Sequence, residues 1–363
     1  MIKFLSKTNS VHLKGTALLR LDFNTEDDWR MKAVLPTIKF LLRYASKVVI
    51  VSHRGRPKGV DKKYSLIKDA GDLGKMLGKK VNFIPHFNFS GIKQLINSSP
   101  RKSIFLLENL RFLKGEETNS KELAKKLACF ADYYVNDAFA VSHRANASVS
   151  AITKFLPSYG GFELEKEIKF LSLAMTKPKK PLVFILGGGK AVDKLGAIEY
   201  FKNKTNYFLL GGAPANTMLA LSGVDIKKSS ADRDRSVKKM KKVLAYKSLF
   251  LPEDFVFHNN AILDIGRRTI KIFEEKIDMA RTIIWSGPLG LIEKKPYERG
   301  SLAVAKAIVK NKKAFSVAGG GETVMFLKKY GLDKKFSFIS TGGGAMLEFL
   351  AGKALPGLKA LEK

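Results

Sequence analysis

Short apolar runs alternate with amphipathic segments along the whole chain. Runs rich in Val, Ile and Leu and bounded by polar residues predict strands that are buried on both faces. Strands are predicted at Ala17–Leu21, Lys47–Val51, Val81–Ile84, Ser103–Leu107, Asp132–Val135, Leu182–Leu186, Tyr207–Leu210, Phe255–His258, Thr282–Trp285, Ala314–Val317 and Phe336–Ile339. A helical period predicts helices at Leu35–Ala45, Lys121–Ala131, Leu164–Met175, Asp193–Lys202 and Leu302–Lys310.

Regular alternation of such strands and helices indicates an α/β protein with parallel sheets that are covered by helices on both faces. The 363 residues exceed what one core usually holds, so two domains are expected. The boundary is predicted near Leu164–Lys180, where a helical pattern is followed by the breaker segment Thr176–Pro181. In sheets of this kind, ligands bind beyond the carboxyl ends of the strands.

Basic side chains follow the apolar runs of the first half, and glycine clusters follow those of the second. The basic group is Arg20, His53, Arg56, Arg111, His143 and Arg144, and the glycine group is Gly187–Gly189, Gly211–Gly212, Gly319–Gly321 and Gly342–Gly344. Guanidinium groups suit a small, multiply charged anion, whereas glycine turns before a helix let backbone N–H groups approach a phosphate chain. Two unlike anion sites predict two phosphorylated substrates and therefore phosphoryl transfer.

The glycine clusters carry further candidate groups. Lys190 and Lys194 are four residues apart, which predicts one helical face beside a bound phosphate. The segment is not a Walker A loop, because no Ser or Thr follows the lysine. Glu322 is a candidate Mg²⁺ ligand, although an acid in a first helical turn can also simply complement the helix dipole. Gly342–Gly344 offers backbone N–H groups to a transferring phosphoryl group.

In the first half, Ser52–Pro57 places one histidine and two arginines around a glycine, which favours an anion site. Asp22 and Asn24 follow the first predicted strand, where they can exchange hydrogen bonds with substrate hydroxyls. Both residue types are also common in turns, so that alternative stays open. Arg30 has no distinguishing feature in its spacing alone.

Composition narrows the functional classes. Lys and Arg number 65 against 33 Asp and Glu, a formal charge of +32, which favours anionic partners. The lysines are spread along the chain without a basic block, so a solvated surface is the simpler explanation. Cys129 is the only cysteine, which excludes an intrachain disulfide, and we expect it to be buried. We expect a cytoplasmic protein, because there is neither a signal-peptide core nor an apolar run of membrane-spanning length.

Taken together and in their order, these segments resemble the phosphoglycerate kinase family from end to end. The resemblance is carried by Arg20–Asn24, Leu35–Ile38, Ser52–Gly59, Leu107–Phe112, Val135–Phe139, His143–Ala145, Leu186–Lys194, Asp264–Gly266, Trp285–Gly290, Glu293, Gly319–Thr323, Ser340–Gly344 and Leu355–Gly357. It implies two Rossmann-like domains joined by a hinge helix. We place an N-terminal phosphoglycerate-binding domain at 1–165, the hinge helix and linker at 166–180, a nucleotide-binding domain at 181–345, and a tail returning to the first domain at 346–363.

The resemblance also implies an activity and roles for single residues. The activity is reversible phosphoryl transfer from 1,3-bisphosphoglycerate to ADP, giving 3-phosphoglycerate and ATP, with Mg²⁺ on the nucleotide. The implied catalytic residues are Arg30, Lys190, Lys194 and Gly343. The implied phosphoglycerate-binding residues are Asp22, Phe23, Asn24, Arg30, His53, Arg54, Gly55, Arg56, Arg111 and Arg144. The implied nucleotide-binding residues are Lys194, Glu293, Gly320, Gly321, Glu322 and Thr323, with Glu322 holding Mg²⁺ directly or through water.

Five positions depart from the family pattern, and the segment Thr25–Asp28 before Arg30 is shorter than usual. Gly189 replaces an alanine. Asn146 stands where a second histidine is usual, Ser286 replaces an asparagine, Glu322 replaces an aspartate, and Ile262 stands where a glycine is frequent. Most of these changes fall on the nucleotide side.

Two other functions remain open from the sequence: a nucleic-acid-binding descendant without activity, and a kinase for a related phosphorylated carboxylic acid. We expect a monomer, and we expect neither a membrane nor nucleic acid among its partners.

Overall fold

The computed structural model describes residues 1–233 and 235–362, which divide into two compact units. The first unit consists of Met1–Ile168 and Ala354–Lys363, and the second of Lys169–Lys353. The strands are β1 Thr16–Arg20, β2 Lys47–Val51, β3 Val81–Ile84, β4 Ile104–Leu107, β5 Tyr133–Asn136, β6 Ser158–Gly160, β7 Leu182–Leu186, β8 Tyr207–Leu210, β9 Leu249–Phe250, β10 Phe255–His258, β11 Ala261–Ile265, β12 Thr282–Ser286, β13 Phe315–Gly319 and β14 Phe338–Ile339.

Each unit is built on one six-stranded parallel sheet. The order is β3-β4-β2-β1-β5-β6 in the first unit and β14-β13-β12-β7-β8-β9 in the second. In the first sheet Arg20 pairs with Val51 on one side and Asn136 on the other, so the segments after β1, β2 and β5 start at one edge. In the second sheet Leu186 pairs with Ser286, which aligns the ends of β7 and β12.

Helices cover both sheets. The α-helices are α1 Trp29–Tyr44, α2 Ile67–Leu77, α3 Phe89–Ser98, α4 Lys121–Ala128, α5 Phe162–Thr176, α6 Val192–Phe201, α7 Gly212–Leu221, α8 Arg267–Met279, α9 Arg299–Lys310, α10 Gly321–Lys329, α11 Gly344–Leu350 and α12 Pro356–Lys359. The 3₁₀ helices are Leu5–Lys7, Ser10–Leu13, Lys62–Tyr64, Leu110–Phe112, Phe139–Val141, Ala151–Lys154, Arg235–Ala245 and Asp333–Lys335. No helix in the described part of the chain is long and apolar enough to cross a membrane.

The apolar period of the helices explains their packing. On α1, Met31, Val34, Ile38 and Leu41 recur at helical spacing and lie in the core of the first unit with the inward residues of β1 and β2. In the second unit, the core gathers Trp285 of β12, Phe273 of α8 and residues of α9 and α10. Helix α5 contributes residues to both units, because the boundary lies between Ile168 and Lys169.

The predicted fold class is confirmed, and the predicted strands other than Phe255–His258 each overlap a strand of the two parallel sheets. Phe255–His258 is a strand, but it pairs antiparallel with β11 in a separate two-stranded sheet. The reason is the turn between them, where Asn259 and Asn260 both have positive φ (49° and 61°). Asparagine tolerates this conformation, which favours a tight hairpin.

Other predicted boundaries were wrong for local reasons. Helix α1 begins at Trp29, six residues before the predicted start at Leu35, and therefore holds Pro36 in its interior. Strands β6 and β9 were missed because they are only three and two residues long, and the five-residue strand β11 was missed as well. Helix α4 ends at Ala128, so Cys129 lies just beyond the helix and is exposed rather than buried.

Candidate active site

A buried ion pair lies just beyond the carboxyl end of β1. Asp22 is 7% exposed, and its Oδ2 lies 3.2 Å from Nη1 of Arg30 in the first turn of α1. The backbone N–H of Asn24 donates to Asp22 Oδ1 at 2.8 Å, and Arg30 donates to the carbonyl of Asn24 at 3.3 Å. Burial alone would raise the pKa of Asp22, but Arg30 and the other nearby donors hold it well below its ordinary range. The Asp22 carboxylate therefore stays ionised.

Three further basic side chains lie around this ion pair. His53 follows β2, Arg111 lies in the turn after β4, and Arg144 lies in the loop after β5. His53 and Arg111 are buried, and Arg144 is half-buried. Burial and the charge of Arg144 lower the pKa of Arg111 to about 10, although Oε1 of Glu117 lies 3.2 Å from its Nε. Positive charges this close together favour a bound anion that separates and neutralises them.

The loops that carry these groups are tied to one another. Asn24 Oδ1 accepts a hydrogen bond from the backbone N–H of Gly55 at 2.7 Å, and the carbonyl of Gly55 accepts one from Arg111. The N–H of Phe23 donates to Ser52 Oγ at 3.1 Å. Three of the predicted phosphoglycerate-binding residues, Phe23, Asn24 and Gly55, thus fix the backbone of the site.

Arg54 and Arg56 are placed differently from the buried group. The Arg54 guanidinium donates through both Nε and Nη2 to the carboxylate of Asp69 (3.2 and 2.5 Å) and through Nη1 to the carbonyl of Thr25 at 2.9 Å. Its donors are therefore largely used within the protein. Arg56 is exposed, and within the described residues it forms neither a hydrogen bond nor an ion pair, so its guanidinium is available to a ligand.

Arg20, which the sequence placed among the candidate anion-binding residues, is instead engaged by other side chains of the protein. It is fully buried at the end of β1, and its Nη2 lies 3.7 Å from Oε1 of Glu116 and 3.2 Å from Nδ1 of His53. Its Nε donates to Ser148 Oγ at 2.8 Å, and Asn146 Nδ2 donates to Glu116 at 3.3 Å. Position 116 gives no sequence signal, because an isolated glutamate in a turn-rich segment usually faces solvent.

The second unit has a cavity of about 240 Å³ beyond the ends of β7 and β12. Its lining combines glycines, apolar side chains and two of the predicted nucleotide-binding residues, Glu293 and Glu322. The lining includes Gly188, Gly189, Gly212, Asn216, Phe255, Ile262, Asp264, Leu289 and Leu291. A mainly apolar cavity with a few polar groups at its rim suits a flat heteroaromatic base with a sugar.

Only part of the first glycine cluster can serve a phosphate. The N–H groups of Gly187 and Gly188 donate to the carbonyls of Ser286 (2.9 Å) and Pro288 (2.7 Å). A Cβ at Gly187 would lie 2.0 Å from the Pro288 carbonyl oxygen, so this glycine serves the close approach of two loops. Gly189 is exposed, with open space where a side chain would stand.

The two candidate lysines differ in placement. Helix α6 begins at Val192, so Lys190 lies before the helix, and the prediction that both lysines share a helical face is wrong. Lys190 is exposed, whereas Lys194 is 7% exposed. Burial lowers the pKa of Lys194, Lys190 acts in the same direction, and the carboxylates of Asp193 and Glu322 oppose them. Lys194 and Glu322 are therefore electrostatic neighbours.

The glycine turns after β13 and β14 approach each other. A Cβ on Gly343 would lie 3.9 Å from Cα of Gly320, and these residues precede α11 and α10 respectively. Gly321 and Glu322 are exposed in the first turn of α10, where backbone N–H groups have no helical acceptor. Thr323 is fully buried and its Oγ1 accepts from the N–H of Gly287 at 2.9 Å, so its side chain holds the loop after β12.

Comparison with known proteins decides the family. The family model described as phosphoglycerate kinase matches residues 9–353. The chain belongs to the phosphoglycerate kinase family. It is 40% identical to a phosphoglycerate kinase of Dictyoglomus turgidum over 96% of each chain, and 40% identical to a cytosolic phosphoglycerate kinase of Triticum aestivum over 93% of this chain and 90% of the relative. The crystal structure of phosphoglycerate kinase from Pyrococcus horikoshii matches with a TM-score of 0.88 and 33% identity, covering 99% of this chain and 98% of that one.

Membership of the phosphoglycerate kinase family confirms the resemblance and the predicted enzyme class, a phosphotransferase. The nucleic-acid-binding alternative is not favoured, because the chain aligns over nearly its whole length with relatives that are named phosphoglycerate kinase. The roles of the single residues remain predictions.

Proposed function

We propose that this chain transfers a phosphoryl group reversibly between 1,3-bisphosphoglycerate and ADP. In the forward direction, a terminal phosphate oxygen of ADP attacks the acyl phosphate phosphorus. A new P–O bond forms, the bond to the acyl oxygen breaks, and the carboxylate of 3-phosphoglycerate leaves. No covalent enzyme intermediate is needed, so the residues contribute positioning and charge neutralisation. The observation that carries the proposal is the group of Asp22, Arg30, His53, Arg111 and Arg144, whose side chains are buried or half-buried, at one edge of the first sheet.

We assign phosphoglycerate to the first unit. Arg56, Arg111 and Arg144 supply the positive charge, and His53 supplies a further polar contact. Asp22 accepts a hydrogen bond from the substrate hydroxyl, which its ionised state allows. Asn24, Phe23 and Gly55 hold the loops, as their hydrogen bonds indicate. We assign Arg54 an indirect contribution, because Asp69 and Thr25 occupy its donors.

We assign the nucleotide to the cavity of the second unit. Glu293 at its rim accepts hydrogen bonds from the ribose hydroxyls, and the N–H groups of Gly320 and Gly321 approach the phosphates. Thr323 contributes through its backbone N–H and through its side-chain bond to Gly287. Lys190 and Lys194 neutralise phosphate charge.

Glu322 fits a role in holding Mg²⁺ together with a nucleotide. It is an exposed carboxylate on the cavity wall, and no cluster of three or more acidic, His or Cys residues suited to a metal occurs among the described residues. Mg²⁺ commonly takes one carboxylate together with substrate phosphates and water, so one acid suffices. When bound, the ion would reduce the negative charge of the nucleotide phosphates.

We propose that four groups neutralise the negative charge on the transferred phosphoryl group. They are Arg30 of the first unit and Lys190, Lys194 and the Gly343 amide of the second. We further propose residues 166–180, which include most of α5, as the hinge and linker between the phosphoglycerate domain and the nucleotide domain. Residues 346–363 are proposed as a tail that returns to the first domain, and its residues from Ala354 onward belong to the first compact unit. We propose a monomer located in the cytoplasm. The location is supported by the cytosolic relative in Triticum aestivum.

A coupled assay with 3-phosphoglycerate, ATP and Mg²⁺ tests the activity. We expect sustained turnover in both directions and little turnover when 3-phosphoglycerate is replaced by other phosphorylated carboxylic acids. Turnover with one of those acids but not with 3-phosphoglycerate would support the related-kinase alternative. No turnover with any of them, combined with salt-sensitive binding to DNA or RNA, would support the nucleic-acid alternative.

A further inference from the structure

Glu116 is the centre of a buried network beside the phosphoglycerate site. It is fully buried, and its Oε1 accepts from Ser148 Oγ at 2.6 Å and from Asn146 Nδ2 at 3.3 Å. Its Oε2 accepts from the backbone N–H of Ser148 at 3.1 Å, and its carbonyl accepts from the N–H of Ala147 at 2.9 Å. These bonds hold the segment that follows Arg144. The charge of the carboxylate is balanced by Arg20, which is equally buried, with Nη2 at 3.7 Å.

Arg20 in turn determines which nitrogen of His53 carries a proton. Its Nη2 lies 3.2 Å from Nδ1 of His53. A guanidinium has only donors, so this hydrogen bond exists only if Nδ1 is the acceptor. Nδ1 is then unprotonated, and the single proton of the neutral ring lies on Nε2. A fully protonated ring would point an N–H at the guanidinium.

The surroundings of His53 agree with a neutral ring. The charged groups that act on it are Asp22, Arg20, Arg111 and Arg144. Burial, the largest influence, lowers its pKa well below the ordinary value of 6.5, and the three arginines act in the same direction. Only Asp22 opposes them, and Asp22 is already paired with Arg30.

We propose that Glu116 is a positioning residue that acts through Arg20 to hold His53 as the neutral Nε2–H tautomer. His53 then offers a hydrogen-bond donor to an anion, while the positive charge of the site comes from arginines alone. The identity of that anion as phosphoglycerate rests on the proposed function, but the tautomer does not. A histidine with a fixed tautomer binds its ligand equally well across neutral pH, whereas a titrating one would not.

The test uses the full-length protein labelled with ¹⁵N in its histidines, without ligand. The His53 signals are assigned by their loss in His53→Gln. We expect a pyridine-type shift at Nδ1 and a pyrrole-type shift at Nε2, unchanged between about pH 5.5 and 8.5. A proton on Nδ1, or titration near the ordinary pKa of histidine, would overturn the proposal. This measurement needs no variant at position 116, so it tests the proposed tautomer of His53 even if Glu116 variants fold poorly.

The second arm compares Glu116→Gln, Glu116→Asp and Glu122→Gln. In Glu116→Gln, Arg20 loses the carboxylate that anchors it, so we expect its guanidinium to leave Nδ1 of His53, the Nδ1–H tautomer to become populated, and the KM for 3-phosphoglycerate to rise about ten-fold. Glu116→Asp keeps the charge and should keep the wild-type tautomer. Glu122→Gln removes an exposed acid of α4 that forms an ion pair with Lys126, and it should match the wild type throughout. A folded Glu116→Gln with the wild-type tautomer and KM would contradict the proposal.

The two proposals fail in different ways. If the protein does not turn over 3-phosphoglycerate but the His53 shifts are as expected, the proposed function is wrong and the Glu116–Arg20–His53 relation stands. If the kinase is active but His53 carries its proton on Nδ1, the relation alone is wrong.

Discussion

At the scale of single residues, the ion pair with Asp22 distinguishes Arg30 from other arginines, which its spacing in the sequence did not. Arg30 is in the first turn of α1, and Nη1 is 3.2 Å from Asp22 in the resting protein. The carboxylate thus holds the guanidinium at the site before any ligand arrives, although the two residues are eight positions apart along the chain. Holding a charged donor in place beforehand is what makes it effective in a transition state.

Arg30→Ala should remove most turnover and leave the fold intact. Losing one donor aimed at developing charge typically lowers the rate by about 10²–10³-fold. The measurement is kcat in the coupled assay, with circular dichroism as the check on folding. Arg43→Ala is the matched control, because Arg43 is an exposed arginine near the end of the same helix. Turnover of Arg30→Ala within a few-fold of Arg43→Ala would contradict the assignment.

Lys194→Ala should lower kcat at least as strongly as it raises the KM for ATP. The reason is that the negative charge that Lys194 meets grows in the transition state. Initial rates over an ATP series separate the two constants, and Lys202→Ala, an exposed lysine at the end of α6, is the control. An increase in KM with an unchanged kcat would identify Lys194 as an anchor of the bound nucleotide alone.

At the scale of elements, the first turn of α5 packs buried carboxyl groups together. Glu163 is 6% exposed and Asp137, which follows β5, is 2% exposed. Burial raises the pKa of Glu163 to about 8, with further increases from Glu167 and Asp137 and a decrease from Lys166. Burial raises the pKa of Asp137 to about 6 against its bonds with Thr37 and the N–H of Leu164. The folded protein therefore binds these protons more tightly than the unfolded chain.

The two raised pKa values determine how the free energy of unfolding changes with pH. Below the ordinary pKa values of 3.8 and 4.5 both groups are protonated in both states, so neither reduces stability. As the pH rises towards about 8, the unfolded chain has lost these protons first, and the free energy of unfolding falls. We expect a loss of roughly 1–4 kcal/mol between about pH 5 and 8.5 from these groups. Urea unfolding over that range measures it.

Glu163→Gln should remove much of that slope and raise the stability at pH 8.5, because no carboxylate is then buried at position 163. Glu165→Gln is the matched control on the same helix and should keep the wild-type slope. A Glu163→Gln protein that is less stable than wild type at pH 8.5 would show that the carboxylate is stabilised in the fold.

The residues that line the nucleotide cavity affect how well the protein distinguishes adenine from guanine nucleotides. Asn216 lies in the lining, but its Nδ2 donates to the carbonyl of Ser230 at 3.0 Å, and Ile262 adds only apolar surface. One of the two N–H donors of the Asn216 amide is therefore used within the protein. We expect a difference between ATP and GTP of only a few-fold in kcat/KM, which corresponds to roughly 1 kcal/mol. Initial rates with both nucleotides measure it, and a preference of about 10³-fold would contradict it.

The same rates over a Mg²⁺ series test the metal. We expect no activity in EDTA, because the longer side chain of Glu322 keeps the oxygen ligand or its water-bridged equivalent. Full activity in EDTA would overturn the role of Glu322. Glu322→Gln should raise the Mg²⁺ concentration needed for half-maximal rate.

At the scale of the whole molecule, each compact unit carries one candidate site made from its own residues. Arg144→Ala should therefore weaken the binding of 3-phosphoglycerate about ten-fold or more and leave the binding of ATP nearly unchanged. Arg56→Ala should behave in the same way. Calorimetric titration of each ligand against each variant measures this. An equal loss for ATP would contradict the division into two sites.

Much of the architecture follows from the sequence by itself. Buried parallel strands are continuous apolar runs, so their positions and the α/β class are visible without coordinates. Glycine and arginine at strand ends likewise indicate where the sites lie, because the carboxyl ends of parallel strands meet at one edge. Both signals are local, since each depends on neighbours in the chain.

Only the tertiary structure decided how side chains are paired. Arg20, Arg54 and Arg56 look alike in the sequence, but Arg20 is paired with Glu116, Arg54 is bound to Asp69, and Arg56 is exposed. Glu116 lies 96 positions from Arg20 in the numbering, and no local pattern records such a pair. The antiparallel pairing of β10 and the placement of Lys190 outside α6 were likewise decided by contacts between segments. A side chain's partners depend on distances in space, and those exist only once the chain has folded.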